Sequence, residues 1–185
     1  MSTSKGIARI AQELGNTPLD ALIYSSGVWE EKGFMKEFDF LETANEETAH
    51  IMSVNLIAPI EITKTISKNL SLTKNPRAIY LGALSGLDNK VSSQVAYSAS
   101  KFGLRGAIQS LRVALEKEQI GFTVINPGNV ATDEVMEDIT AGRFSDQTPI
   151  PISDIISAIE FVLSTSNSVE VGDINLIQKT ANNGN

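Results

Sequence analysis

Four short apolar runs, separated by longer amphipathic segments, constrain this fold more than any other feature of the chain. Leu19–Tyr24 and Ala78–Leu81 read as buried strands, Phe122–Ile125 as a third and Val171–Ile177 as a last. Between them the apolar period lengthens. Ile7, Ile10, Ala11 and Leu14 recur at helical spacing, with Ser4 placed to cap the segment and Gly15 to end it. Thr43 and Glu46 have capping-box spacing and open a helical segment that runs to about Asn69. Tyr97–Lys117 and Asp154–Leu163 are helical as well. Strands joined through helices of about ten residues or more need right-handed crossovers, so the expected class is α/β with a parallel sheet. Val28–Thr43 and Thr132–Ile150 read as loops that could shape a pocket, with Trp29, Phe34, Met136 and Phe144 as apolar walls or as plain packing.

Composition narrows the function classes. The 185 residues, 42% apolar, fit a single domain spanning 1–185. A net charge of −7 and a pI near 4.8 argue against nucleic acid or an anionic membrane as partner. Without cysteine there is no disulfide, thiolate catalysis or cysteine-bound zinc, and the lone His50 has no second histidine to form a metal site, so it reads as structural. Residues 1–6 lack the apolar core of a signal peptide and no apolar run approaches membrane-spanning length, which leads to an expectation of a cytoplasmic protein.

Chemistry enters at Tyr97 and Lys101, four apart in Ala96-Tyr97-Ser98-Ala99-Ser100-Lys101. On a helix this spacing puts a phenol beside an ammonium. A cation about 4 Å away is worth roughly 4 kcal/mol at an effective dielectric of about 20, enough to lower a phenol pKa by up to about 3 units. Tyr97 would then serve as an acid or base near neutrality. The pair alone reads as readily as a lysine stem laid over a tyrosine at a helix start. Pro59, four residues after Asn55, removes the amide that would bond the Asn55 carbonyl, so a kinked helix with a free carbonyl is expected there. Pro127-Gly128 makes a small rigid turn after the third strand, where open α/β sheets bind ligands.

These segments, in this order, resemble the short-chain dehydrogenase/reductase family. Tyr97-Ser98-Ala99-Ser100-Lys101 matches its Tyr-x-x-x-Lys signature. Asn126-Pro127-Gly128-Asn129-Val130-Ala131-Thr132 matches its Pro-Gly-x-Val-x-Thr run. Val54-Asn55-Leu56 looks like the helix carrying its asparagine, and Ser25-Ser26-Gly27 stands where it has a turn ending Asn-Ala-Gly. The resemblance implies a Rossmann-like doubly wound parallel sheet of which about four strands are present here. It also implies hydride transfer between NAD or NADP and a small carbonyl or alcohol substrate, with Tyr97 as acid/base, Lys101 as its tuner and ribose clamp, and Asn55 holding a water in a proton relay. Ser25, Ser26, Gly27, Pro127, Gly128, Val130 and Thr132 would border the cofactor.

Two departures from the family pattern qualify this. Counting back three from Gly86, the serine that polarises the substrate carbonyl is replaced by Ala83, and loss of one such donor costs about 10² to 10³ in rate. Ser85 lies on the same side of an extended segment as Ala83 and is the candidate substitute. Second, no G-x-G-x-x-G run occurs, and by resemblance the chain starts at the helix before the family's fourth strand, lacking two strand-helix units of roughly 30 residues each. The domain is therefore expected to be truncated, to bind cofactor weakly, and to expose strand Ala21–Ser25 as an unpaired edge. The resemblance implies a homodimer through the two long helices, and the edge adds a second route to association. Beside the oxidoreductase reading stands a non-catalytic fragment or dimerising module of the same fold.

Overall fold

A computed structural model describes residues 4–33, 35, 37–90, 92–142 and 148–179 of the chain. Ser4–Leu14 forms helix α1, and Gly15, at φ +51°, takes the left-handed conformation that ends it. Strand β1 is Ala21–Tyr24, β2 is Arg77–Leu81, β3 is Gly121–Pro127 and β4 is Asp173–Leu176. All pair in parallel in the order β1-β2-β3-β4, so each crossover returns the chain to the next strand along.

The first crossover is a helix in three parts: α2 (Asn45–Met52), a wider π turn over Ser53–Ile57, and α3 (Ala58–Leu70). The expected disturbance at Pro59 is thus a one-residue widening of the helix. Ala58 N–H bonds Ser53 O, leaving Val54 O to accept from the Tyr24 hydroxyl at 2.7 Å. The second crossover is α4 (Val95–Ala114), and the third holds α5 (Asp133–Thr140) and α6 (Ile152–Ser164).

Two apolar layers sandwich the sheet. On one face Leu22, Tyr24, Ala78, Tyr80, Phe122 and Val124 pack against Ala58, Ile62 and Ile66 of α3 and Leu104 and Ile108 of α4, with α1 docked alongside through Ile10 and Leu14. On the other, Ile79 and Ile125 meet Val162, Ala158 and Ile159 of α6. Strands covered on both faces read as continuous apolar runs, which is why β2 and β3 stand out in the sequence. β1 is the sheet edge, as expected; Leu22 and Tyr24 are buried but Ile23, on the α6 side, is 44% exposed.

Three expectations need correction. The Thr43–Glu46 capping box does not form: Thr43 closes a short turn over Phe40–Glu42, and α2 begins at Asn45 after Ala44, which supplies no side-chain cap. The stretch from Thr132 to Ile150 is not all loop, because Thr132 caps α5 by accepting from Val135 N–H. His50 is exposed on α2 and is not packed among its apolar neighbours. Phe34 and Phe144 lie outside the described residues.

Candidate active site

The carboxyl ends of β1, β2 and β3 open into a cleft of about 360 Å³. Tyr97 and Lys101 reach it from α4, Ser25, Gly27 and Trp29 from the β1 end, Gly82 and Ala83 from the β2 end, and Pro127, Gly128, Val130 and Thr132 from the β3 end. Of the residues the sequence singled out, Ser26 is exposed and does not line the cleft, and Met136 stands apart in a shallow depression on α5. Asn55 and Ser85 lie behind the wall.

Tyr97 and Lys101 share one face of α4, with the Lys101 Nζ 5.6 Å from the phenol ring centroid. The ammonium is 4% exposed, and its hydrogen bond among the described residues goes to the Leu81 carbonyl at 3.0 Å. Burial lowers its pKa to about 8. Gly27 permits this seat: a Cβ there would stand 3.3 Å from Nζ. The expected lowering of the Tyr97 pKa is not what the structure gives. Burial, reinforced by the nearby charge of Glu30, raises the phenol to about 12, and only Ser85 opposes the rise. The reason is geometric: Nζ is committed to Leu81, and desolvation outweighs a cation seated along the ring.

Ser85 sits in the tight turn Leu84–Gly86 that follows β2. Gly86 lets this turn lie on α4, since a Cβ would come within 2.9 Å of the Lys101 carbonyl. The Ser85 Oγ is buried and has no partner of full hydrogen-bond geometry among the described residues, yet it faces the Tyr97 phenol closely enough to oppose the rise in its pKa. Ala83, one residue before the turn, offers only a methyl group to the cleft.

Asn55 is 1% exposed within the π turn. Its amide oxygen accepts from Val28 N–H at 2.9 Å, and its nitrogen donates to Val28 O at 2.7 Å and Ser100 Oγ at 3.0 Å. Ser100 in turn donates to Tyr97 O at 2.7 Å. Asn55 thereby ties the Gly27–Val28 turn to α4, a role that the backbone argument from Pro59 did not reveal.

Glu30 was not singled out from the sequence. It is 1% exposed, and its Oε1 accepts from Ala96 N–H at 2.9 Å and Tyr97 N–H at 3.2 Å. The available sequence signal is an absence: α4 has no acidic residue in its first turn and no side-chain cap from Gln94, so its amides need an outside acceptor.

The chain belongs to the short chain dehydrogenase family, whose pattern it matches over residues 1–141. It is 28% identical over 145 residues to Carbonyl reductase family member 4 of Xenopus laevis, covering 74% of this chain and 58% of that protein. With the 3-oxoacyl-(acyl-carrier-protein) reductase MabA of Mycobacterium avium it shares 24% identity over 116 residues, covering 63% of this chain and 43% of the other. The chain therefore spans about half the length of these relatives. In fold it resembles 4-hydroxyisoleucine dehydrogenase complexed with NADH (TM-score 0.76, 23% identity, 95% of this chain and 75% of that one). It also resembles a metagenomic short-chain oxidoreductase in complex with NADP (TM-score 0.71, 21% identity, 96% and 72%). These likenesses establish a Rossmann-type sheet. No helix among the described residues is long and apolar enough to cross a membrane.

Proposed function

We propose that this chain carries the catalytic part of an NAD(P)-dependent oxidoreductase acting on a small carbonyl or alcohol. The observation that carries this reading is the convergence of Tyr97 and Lys101 on one cleft at the carboxyl ends of parallel strands, where such sheets bind ligands, with Ser85 facing the phenol from behind the wall. Tyr97 would give its phenolic proton to the oxygen of a carbonyl substrate, or take one from an alcohol. Lys101 would hold ribose hydroxyls with the N–H groups that Leu81 leaves unfilled. Ser85, buried behind Ala83, would act on the Tyr97 phenol and not on the substrate oxygen, and Asn55 would keep the cleft wall in register with α4.

The cleft suits the nicotinamide half of the cofactor. Gly27 allows a close approach over Lys101, and Val130 and Thr132 line the cleft from the β3 end. The bound nicotinamide would supply or accept the hydride. No G-x-G-x-x-G run is present to cradle a pyrophosphate, so this chain alone should bind a dinucleotide weakly. Trp29 lines the cleft and would give a substrate an aromatic wall. Exposed Ile57 on the π turn and exposed Val95 and Phe102 on α4 are consistent with a homodimer through the long helices.

Ala83 favours a second reading, a non-catalytic module of the same fold. Titrating NADH and NADPH by fluorescence separates the two. Weak saturable binding with Tyr97-dependent turnover supports the enzyme; no binding of either nucleotide at millimolar concentration would refute it. Binding in the low micromolar range would instead overturn the weak-affinity argument.

A further inference from the structure

The buried carboxylate of Glu30 does more than its burial alone requires. It belongs to the loop after β1, directly beside Trp29 of the cleft wall, yet its Oε1 serves the first-turn amides of Ala96 and Tyr97 on α4. Its Oε2 is buried with no hydrogen-bond partner among the described residues. Helices are ordinarily capped by a residue adjacent in sequence; a cap sent across from another loop joins two elements. The joint is tight on both sides. Gly33 N–H closes a turn onto Glu30 O at 2.8 Å, and a Cβ on Gly33 would fall 2.3 Å from Gln94 Nε2 at the start of α4. A neutral acceptor could make the same amide bonds without leaving a carboxylate oxygen unmatched in a dry site. The charge is therefore the feature to explain, and what it faces is Tyr97.

We propose that Glu30 is a positioning residue for Tyr97, anchoring the start of α4 to the cleft-wall loop and placing a negative charge behind the phenol. This rests on Tyr97 being the acid/base, as in the proposed function. The groups facing the phenol are Lys101 from α4, Ser85 from the turn after β2 and Glu30 from the loop; Glu30 adds to burial in holding the proton on Tyr97, and Ser85 opposes it.

Tyrosine labelled with ¹³C at Cζ tests this in the full chain by NMR, with Tyr97→Phe identifying one resonance among the three tyrosines. Glu30→Gln retains an acceptor and removes the charge, so Tyr97 should titrate at lower pH by on the order of one unit while Tyr24 and Tyr80 stay put. Glu30→Ala should in addition lose hydrogen-exchange protection at the Ala96 and Tyr97 amides. Where turnover is measurable, Glu30→Gln should change kcat and its pH profile and leave KM in place. An unmoved Tyr97 titration in Glu30→Gln, or intact protection in Glu30→Ala, overturns the proposal. Should a variant not fold, hydrogen exchange in the wild-type chain decides: the Ala96 and Tyr97 amides must be protected although they stand in the first turn of α4, and free exchange at both is equally fatal. None of these spectra needs activity, so an inactive chain with the expected shifts would tell failure of the acid/base reading, and with it the positioning role, apart from failure of the Glu30 anchor itself.

Discussion

Lys101 should destabilise the protein it serves, by an amount the structure sets. Its folded pKa of about 8 lies below its ordinary 10.5, a difference of 2.5 units, which at about 1.36 kcal/mol each makes the charged lysine cost about 3 kcal/mol of folding stability at pH 7. At 4% exposure solvent screening recovers little of this. The sign follows from proton counts: between pH 8 and 10.5 the unfolded chain binds the proton more tightly, so stability rises with pH and the penalty shrinks to about 1 kcal/mol by pH 10. Tyr97 works the other way, since its raised pKa gives stability that is present up to about pH 10 and lost as pH climbs towards 12. Lys101→Met keeps the length and apolar stem and removes the charge. Urea denaturation should therefore find it about 3 kcal/mol more stable than wild type at pH 7, offset by a pH-independent packing change of less than about 1.5 kcal/mol. The gap should narrow by about 2 kcal/mol at pH 10. A gap that does not change with pH, or a Met variant less stable than wild type at pH 7, would show that Leu81 and the Tyr97 ring compensate the buried charge in full.

Two other substitutions probe the site and the edge. Ser85→Ala removes the hydroxyl that opposes the rise in the Tyr97 pKa, so the phenol should titrate at higher pH and steady-state kcat should fall by on the order of tenfold, and equal rates would show that this hydroxyl takes no part in tuning the phenol. Ile23→Lys places a charge on the exposed face of edge strand β1, so it should leave monomer stability within about 0.5 kcal/mol while reducing concentration-dependent association in sedimentation. A wild-type chain that sediments as a monomer at every concentration removes the premise.

What could be read in advance divides along physical lines. β2 and β3 were legible because strands buried on both faces carry uninterrupted apolar runs, and α1 because Ile7, Ile10 and Leu14 mark one stripe that Gly15 ends. α5 carried its own signals, a Thr132 cap followed by Asp133 and Glu134 in the first turn, but the stretch Thr132–Ile150 looked like loop because its apolar positions are few. The Thr43 box failed for a local reason: the turn begun by Asp39 claims Thr43 as its end, two residues before the helix starts. Glu30 was out of reach, since nothing in a sequence of local patterns records an acceptor delivered to a helix 66 residues away.

The Tyr97–Lys101 pair shows most clearly what spacing leaves undetermined. Four residues on a helix guarantee that phenol and ammonium are neighbours, and they are. The sign of the pKa change depends on two further quantities, how dry the site is and where Nζ points. Here burial favours the neutral form of each group, raising Tyr97 and lowering Lys101, while the Leu81 carbonyl takes the hydrogen bond that spacing alone would have assigned to the phenol. An acceptor oxygen entering the cleft beside Nζ would favour the charged lysine, because a hydrogen bond to the charged form raises its pKa. A charged lysine in a dry site would then favour the phenolate in turn. On this argument burial holds Tyr97 as a reluctant acid, and in the proposed function hydroxyl groups held by Lys101 would fix its charge and bring the phenol towards a working pKa.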